Sequence, residues 1–461
     1  MRLYDTLSTE RREFSPRNQQ VTMYVCGPNL YGPCHVGHAL SYVYFDVLRR
    51  YLEYSGYDVK QVQNFTDIED RIIEVSNADG MTVKELSEIY IERFMYEMDS
   101  LGIQRAHHYP RATQYIDKMI EIIVKLLSDG HAYAIEGDVY FRVRNFETYG
   151  RLSKRPIEDM QAGTRIEIDV RKEDPMDFAL WKRSKDSEPS WDSPWGEGRP
   201  GWHIECTAMS VSLLGSQIDI HGGGQDVIFP HHENEIAQSE LYTGNTPFVN
   251  FWIHNGLLKL SDDDTEKMTR HTGNFISCRE ALDSHSSDAL RIFFLSSHYR
   301  SPLTYSEEGV DSAERSLLRL TNSLREDNSH NSGSETLAAT EFSDRFVRAM
   351  EDDLNTPQAL ASLFDLAREI NRSKGTGISV LGAQSVLREL GLVLGISFDG
   401  QNVNTSKDAY PFINLLVETR VQLRAEKQWA LGDSIRDQLE ALGVSLEDNP
   451  EGTTWRFNST I

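Results

Sequence analysis

The stretch from Val21 to Asp70 leaves this chain little choice of fold. Residues 21–28 form an apolar run, VTMYVCGP, that predicts a buried strand. The turn PNLYGPCHVGH follows, and then ALSYVYFDVLRRYLEYSGY, whose apolar positions recur at helical spacing. A second strand, DVKQVQNFTD, and a polar turn from Asp67 to Asp70 continue a βαβ pattern. The expected class is therefore α/β, with a Rossmann-type doubly wound parallel sheet. In such a sheet the helix N-terminus faces the carboxyl ends of the strands, where phosphate groups settle. His35 and His38 lie there as H-V-G-H, with Gly37 allowing a close backbone approach. A pattern this short has a competing reading, two solvated histidines.

A second concentration of chemistry runs from Trp202 to Glu235, as WHIEC and HGGGQDVIFPHHENE. His231 and Glu235 are four apart at the start of a helix-like run, so they project from one face about a turn apart. With Cys206 they offer an imidazole, a carboxylate and a thiolate. That set suits Zn²⁺ better than Ca²⁺ or Mg²⁺, which prefer oxygen shells. Cys26 is the best fourth donor among the remaining cysteines, because the H-V-G-H turn follows it closely. Taken singly, each cysteine reads equally well as a buried apolar residue. The three glycines imply a tight turn, an unusual backbone or a close ligand. Asp226 after them is placed to accept a hydrogen bond from an amine or a ribose hydroxyl.

Composition bounds the alternatives. The 461 residues suffice for several domains, and no apolar run approaches the ~20 residues of a membrane span. The first residues, MRLYDTLSTERREF, lack the apolar segment of a signal peptide, so a soluble cytoplasmic protein is expected. Cys26, Cys34, Cys206 and Cys278 are too unevenly spaced for a disulfide framework, which favours metal binding or catalysis. A formal charge of −24 argues against bulk electrostatic binding to nucleic acid, though not against a local groove.

Residues 112–200 break the βαβ rhythm with a helix, a hairpin turning at Glu136 and Gly137, and the segment SWDSPWGEGRPGW. They read as an insertion between a first half-sheet (1–111) and a second (201–260). After EKMTRHTGNF comes a periodic run, GVDSAERSLLRLTNSLRED, which predicts a helix. The stretch DNSHNSGSETLAATE reads as a flexible connection, followed by two or three helices between 342 and 396. FDGQNVNTSKDAY is expected as a linker to a small terminal unit. On the helix of that unit Trp429, Asp433 and Arg436 share a face, where they could stack on and hydrogen-bond to unpaired bases. The alternative is an ordinary amphipathic helix with Trp429 in a small core.

Together, H-V-G-H and KMTRH on two half-sheets resemble the HIGH and KMSKS signatures of class I aminoacyl-tRNA synthetases. MYVCGPNLYGPCHVGH, NFTDIEDRI, PMDFALWK, GRPGWHIEC, DIHGGGQDVIFPHHENEIAQSE, HYRSPL, DLNTPQA and EGTTWR narrow the resemblance to the cysteinyl-tRNA synthetases, over nearly the whole chain. The chain departs from the family pattern at KMTRH, where the family usually shows a lysine-rich KMSKS, and at Asn29, where threonine is usual. The resemblance implies a KMSKS-type loop and stem-contact region at 261–310, a helical bundle at 311–396 and an anticodon-binding domain at 410–461.

It further implies ATP-dependent activation of L-cysteine, with Mg²⁺ accompanying the nucleotide, and transfer to the end of tRNA(Cys). His35 and His38 would hold the phosphates, with Lys267 and Arg270 closing on the departing pyrophosphate. One zinc on Cys26, Cys206, His231 and Glu235 would take the substrate thiolate, Trp202 would lie against its side chain, and His203 and His221 would join the histidines around the metal. Pocket size alone separates cysteine from serine by only ~1–3 kcal/mol, whereas a thiophilic ion discriminates by bond chemistry. Arg424 and Asp448 join the anticodon set by the same resemblance, and a monomer is expected. Two other readings share part of this machinery: a cysteine ligase acting on an aminosugar, and a zinc-binding paralogue without activation chemistry.

Overall fold

The computed structural model describes residues 1–157, 170–186, 188–260, 275–325, 335–398, 405–442, 444–449 and 452–457. The chain divides into two compact units, Met1–Gly400 and Gln401–Ile461.

The first unit is built on a four-stranded parallel sheet. Strand Gln20–Val25 pairs with Asp58–Gln63 on one side and with Ile218–Gly224 on the other, and Val249–Asn255 lies beyond the latter. Val21, Met23, Tyr24 and Val25 are all buried, the near-continuous burial of a strand covered on both faces. Two cores flank the sheet. Val21, Met23, Val25, Val59 and Phe251 pack with helix Val36–Tyr54, whereas Tyr24, Val62, Ile218 and Trp252 belong to the core of helices Ile116–Ser128, Trp202–Leu214 and Glu233–Thr243. This is the doubly wound arrangement expected from the sequence. Its two halves meet where Gln20–Val25 adjoins Ile218–Gly224, and a ligand crevice forms at the carboxyl ends of strands at such a junction.

The glycine triplet is not a turn. Gly222, Gly223 and Gly224 finish strand Ile218–Gly224, and none has a positive φ. They are small because neighbours come close: a Cβ on Gly222 would overlap the Phe45 ring, and one on Gly223 would lie 2.8 Å from Val227 Cγ2. Packing of the first helix on the sheet, more than backbone freedom, explains the glycines.

Between the half-sheets the chain forms a four-stranded antiparallel sheet of Ala132–Ile135, Asp138–Phe141, Phe178–Arg183 and Gly198–Pro200. Its first hairpin turns at Glu136 (φ 54°) and Gly137 (φ 93°), the two left-handed residues of a two-residue hairpin turn. An antiparallel pair at the N-terminus, Arg2–Asp5 with Glu10–Glu13, gave no clear alternation in sequence.

Helices Cys278–Ser284, Ser287–Leu295, Glu307–Leu324, Thr340–Glu351, Thr356–Ser373 and Leu381–Val393 complete the unit, three of them in the stretch where two or three were expected. The polar connection before them is partly pinned: Leu337 donates its amide to the Ser379 carbonyl at 2.9 Å, while 326–334 lie outside the described residues.

In the second unit the backbone is already helical from Thr405, inside the stretch read as a linker. Helices Thr405–Ala425 and Trp429–Ala441 and the hairpin Val444–Asn449/Gly452–Phe457 enclose a core of Ile413, Val417, Leu439, Val444 and Leu446. Among the described residues no helix is long and apolar enough to cross a membrane.

Candidate active site

Strand Gln20–Val25 ends at Cys26, and the turn beyond it delivers His35 to the N-cap of helix Val36–Tyr54. His35 and His38 bond reciprocally: each accepts the other's backbone amide on Nδ1 at 3.3 Å. Their rings stack at 3.7 Å. A Cβ on Gly37 would sit 2.9 Å from His35 Nδ1, so this glycine makes room for the His35 ring as well as for anything in the crevice. The two imidazoles are thus held at a helix N-terminus, whose dipole favours an anion. They line a cavity together with Cys26, Thr66, Trp202 and Asp226. Asn29 lines it too, so this departure from the family pattern faces the same space.

The second half-sheet supplies the other candidate metal donors. His231 and His232 end the turn Ile228–His232, and Glu235 sits in the first turn of helix Glu233–Thr243. Cys206 projects from helix Trp202–Leu214. Donor atoms of Cys26, His231, His232 and Glu235 lie within 4.8 Å of one another. The Cys206 sulfur is 3.8 Å from that of Cys26. The four residues named from sequence therefore converge, with His232 as an additional neighbour that the pattern HHENE contained but spacing did not single out. His231 Nε2 and Glu235 Oε1 are buried and 3.0 Å apart, and among the described residues neither has a hydrogen-bond partner beyond this pair. A single cation could take both atoms, since the donor atoms of Cys26, His231, His232 and Glu235 are gathered this closely. Two sulfurs, an imidazole and a carboxylate fit zinc.

The surroundings fix these donors. Burial raises the Glu235 carboxyl, but the neighbouring His221 and His231 outweigh it and hold the group down at about 2. Burial likewise lowers His231, and Glu235 and Cys206 override it to bring that imidazole up to about 10. His221 Nε2 lies 2.8 Å from Glu235 Oε2, and His203 Nδ1 lies 3.1 Å from His231 Nδ1. Outer partners of this kind orient metal ligands. Trp202 stacks on His231 at 4.3 Å and also lines the cavity. His232 and His254 are joined at 2.8 Å, and His254 reaches Thr6 Oγ1 at 2.8 Å. Sequence reading passed over His254, since a lone histidine in a strand carries no motif.

Lys267 and Arg270 lie outside the described residues. The chain on either side of them is described: Leu258 lines the cavity, Val36 donates its amide to the Ile276 carbonyl at 3.0 Å, and Phe275 packs edge-on against His35.

In the second unit Trp429 is 52% exposed, so it does not fill the small core. The Arg424 guanidinium lies 5.4 Å from its ring centroid and 3.4 Å from Asp433 Oδ1. Arg436 is half-buried, 3.5 Å from the Leu446 carbonyl. The exposed cluster is therefore Arg424, Trp429 and Asp433, with Arg436 directed toward the hairpin. Asp448 lies on strand Val444–Asn449, opposite Thr453.

Residues 13–315 match the family described as tRNA synthetases class I (C) catalytic domain, and residues 345–399 match the DALR domain. The second match falls on the helices Thr340–Glu351, Thr356–Ser373 and Leu381–Val393. A cysteine–tRNA ligase of Dehalococcoides mccartyi is 51% identical over 457 residues, covering 99% of each chain. The cysteine–tRNA ligase of Caldicellulosiruptor saccharolyticus is 46% identical over 469 residues, covering 98% of this chain and 99% of its own. Among solved structures, Mycobacterium tuberculosis methionyl-tRNA synthetase in complex with methionyl-adenylate has a TM-score of 0.59 at 14% identity, covering 82% of this chain and 88% of that one. That likeness concerns the fold alone.

Proposed function

Because the chain belongs to the cysteine–tRNA ligase family, we propose that its crevice activates L-cysteine with ATP and passes the cysteinyl group to tRNA(Cys), in the cytoplasm and as a monomer. The observation that carries the proposal is the donor set Cys26, Cys206, His231 and Glu235 beside a cavity that His35 and His38 line. Those four residues would hold a zinc ion, which would supply a thiophilic Lewis acid and so separate cysteine from serine by bond chemistry where pocket size could not.

The chain's own residues do the rest. Trp202 walls the substrate side chain, with His203 and His221 holding His231 and Glu235 in place. Asp226 lines the cavity, where its carboxylate would accept a hydrogen bond from an ammonium or ribose hydroxyl. The substrate carboxylate attacks the α-phosphorus while charge spreads over the phosphoryl oxygens, and pyrophosphate leaves; Mg²⁺ would accompany the nucleotide. His35 and His38, backed by the N-terminus of helix Val36–Tyr54, stabilise that charge. Lys267 and Arg270 act on the leaving group; a guanidinium keeps the positive charge there in fork geometry. A ribose hydroxyl of the tRNA then attacks the mixed anhydride and AMP departs. The unit Gln401–Ile461 reads the anticodon through Arg424, Trp429, Asp433, Arg436 and Asp448, by stacking and hydrogen bonding.

The test is ATP–pyrophosphate exchange with cysteine as the sole amino acid, followed by charging of tRNA(Cys). Exchange without charging would support the aminosugar-ligase alternative. Absence of exchange would support the paralogue without activation chemistry.

A further inference from the structure

The segments HYRSPL (298–303) and DLNTPQA (353–359) carry none of the groups assigned to catalysis, yet they meet at one carboxylate. Asp353 is fully buried where helix Thr340–Glu351 passes into Thr356–Ser373. Its Oδ1 accepts the Tyr4 amide at 2.8 Å and the Tyr299 hydroxyl at 2.9 Å, and its Oδ2 accepts Nε and Nη2 of Arg300 at 2.9 and 2.7 Å. An amide and a guanidinium can only donate, so both oxygens are fixed as acceptors. Two N–H groups on one oxygen leave the arginine a single orientation, and the charge strengthens both bonds. Asp353 (φ 62°) and Leu354 (φ 51°) are also consecutive non-glycine residues in the left-handed region. Such a conformation persists only where its surroundings over-determine it.

What Asp353 holds leads straight to the cavity. Residues 299–305 run alongside residues 256–259: Gly256 donates its amide to the Tyr299 carbonyl at 2.7 Å, Leu303 to that of Leu257 at 3.1 Å, and Tyr305 to that of Lys259 at 2.8 Å. Strands Leu258–Lys259 and Leu303–Thr304 pair in parallel. A Cβ on Gly256 would lie 2.3 Å from the Ser301 carbonyl oxygen, so nothing separates the two segments. Asn255, Gly256, Leu257 and Leu258 line the cavity. Leu258 Cβ is 3.8 Å from where a Cβ on Gly37 would stand, next to the His35 ring, which puts this wall at the histidine end. From here the chain continues to Lys267 and Arg270.

We propose that Asp353 is a positioning residue for the nucleotide: from the helical region it holds Tyr299 and Arg300, and through them the wall at 255–258 against which ATP lies. Asp353 is not among the residues lining the cavity, so it acts only through that wall. With the phosphates at His35 and His38 and the thiol of cysteine at the metal donors, the nucleoside is the part of the substrates left for the wall. The inference rests on the ligase reading and deepens it, because it gives the helices matched by the DALR domain a part in amino-acid activation. When the Asp353–Arg300 pair is broken, residues 299–301 can shift and the wall shifts with them, so ATP binds less well while the cysteine end is unchanged.

Variants of the full-length zinc-loaded protein test this in pyrophosphate exchange, with KM measured separately for ATP and cysteine. Asp353→Asn keeps the size of the side chain and tolerates a left-handed backbone, but loses the charge that holds Arg300. Asp353→Asn and Arg300→Ala should each raise KM for ATP about tenfold, below the roughly hundredfold that a misplacement of about 1 Å can cost, and leave KM for cysteine within about twofold. The double variant should be no worse than Arg300→Ala alone, because the two residues act as one contact. Arg300→Lys, which keeps a charged donor, should fall between Arg300→Ala and the parent. A purely structural role would lower the melting temperature and the active fraction and leave both KM values parental. That result, an equal rise in KM for cysteine, or additive losses in the double variant would each overturn the inference. If Asp353→Asn does not fold, the half-buried Arg300 still decides the matter through its alanine and lysine variants by the same two KM values. A parental protein that exchanges with cysteine while these variants keep parental KM values refutes this inference alone. A parental protein that does not exchange at all refutes the ligase reading and this inference with it.

Discussion

Replacing Glu233 should loosen the loop at 150–153 from helix Glu233–Thr243. Glu233 is fully buried, and its carboxylate accepts three backbone amides from one loop: Gly150 at 2.9 Å, Leu152 at 3.1 Å and Ser153 at 2.8 Å. Gly150 and Leu152 are themselves buried, so in Glu233→Ala their amides lose their partner without gaining water. Each buried amide left unpaired costs about 1–3 kcal/mol, and two such losses give about 2–6 kcal/mol. The Tyr149 hydroxyl still reaches Asn234, which keeps the loop nearby and makes local opening, not global unfolding, the expected response. An increase of about 3 kcal/mol in the free energy of the closed loop multiplies its open population by about 150. Amide hydrogen exchange of the peptide covering residues 148–156 reads that population directly, and Glu233→Gln, which keeps one carbonyl oxygen, should fall between the parent and the alanine variant. Exchange in Glu233→Ala within about threefold of the parental rate, less than 1 kcal/mol, would refute the reasoning.

Two further predictions concern the ends of the reaction. Arg270→Ala should slow adenylate formation while leaving cysteine affinity nearly unchanged, because its charge matters as pyrophosphate develops; Arg270→Lys should be tolerated, and an alanine variant exchanging at the parental rate would remove this residue from the mechanism. Trp429→Ala should lower charging of tRNA(Cys) by the equivalent of about 1–3 kcal/mol without affecting pyrophosphate exchange, and removal of Gln401–Ile461 should do so more severely; unimpaired charging by either protein would contradict the anticodon assignment.

The features legible in the sequence were those with a period or a fixed spacing. Helix Val36–Tyr54 was announced by its apolar recurrence, and the hairpin at Glu136 and Gly137 by its turn chemistry. The i, i+4 pair His231 and Glu235 did project together, and Cys26 and Cys206 arrived from 180 residues apart. What escaped was set by tertiary packing. Gly222 looked like a turn because glycine usually signals backbone freedom, yet the Phe45 ring is what forbids a side chain there. Arg436 shares a helical face with Trp429 by spacing, but the neighbouring hairpin offers it a carbonyl, and Arg424 takes its place in the exposed cluster. Thr405 opens a helix within a run of polar residues that composition alone assigned to a linker. Glu205 and Glu233 sit inside recognisable motifs, WHIEC and HHENE, but which carboxylate holds a metal, a threonine or a loop is decided only when the strands bring their partners into reach.

A zinc ion held by Cys26, Cys206, His231 and Glu235 is proposed to choose the amino acid. The most direct measurement determines zinc content and the ratio of cysteine-dependent to serine-dependent pyrophosphate exchange on the same preparations: parental protein, Cys206→Ala and His231→Ala. The parental protein is predicted to hold one zinc per chain and to reject serine, and the two variants to lose zinc and cysteine selectivity together. A variant without zinc that still exchanges with cysteine and still rejects serine would contradict the claim.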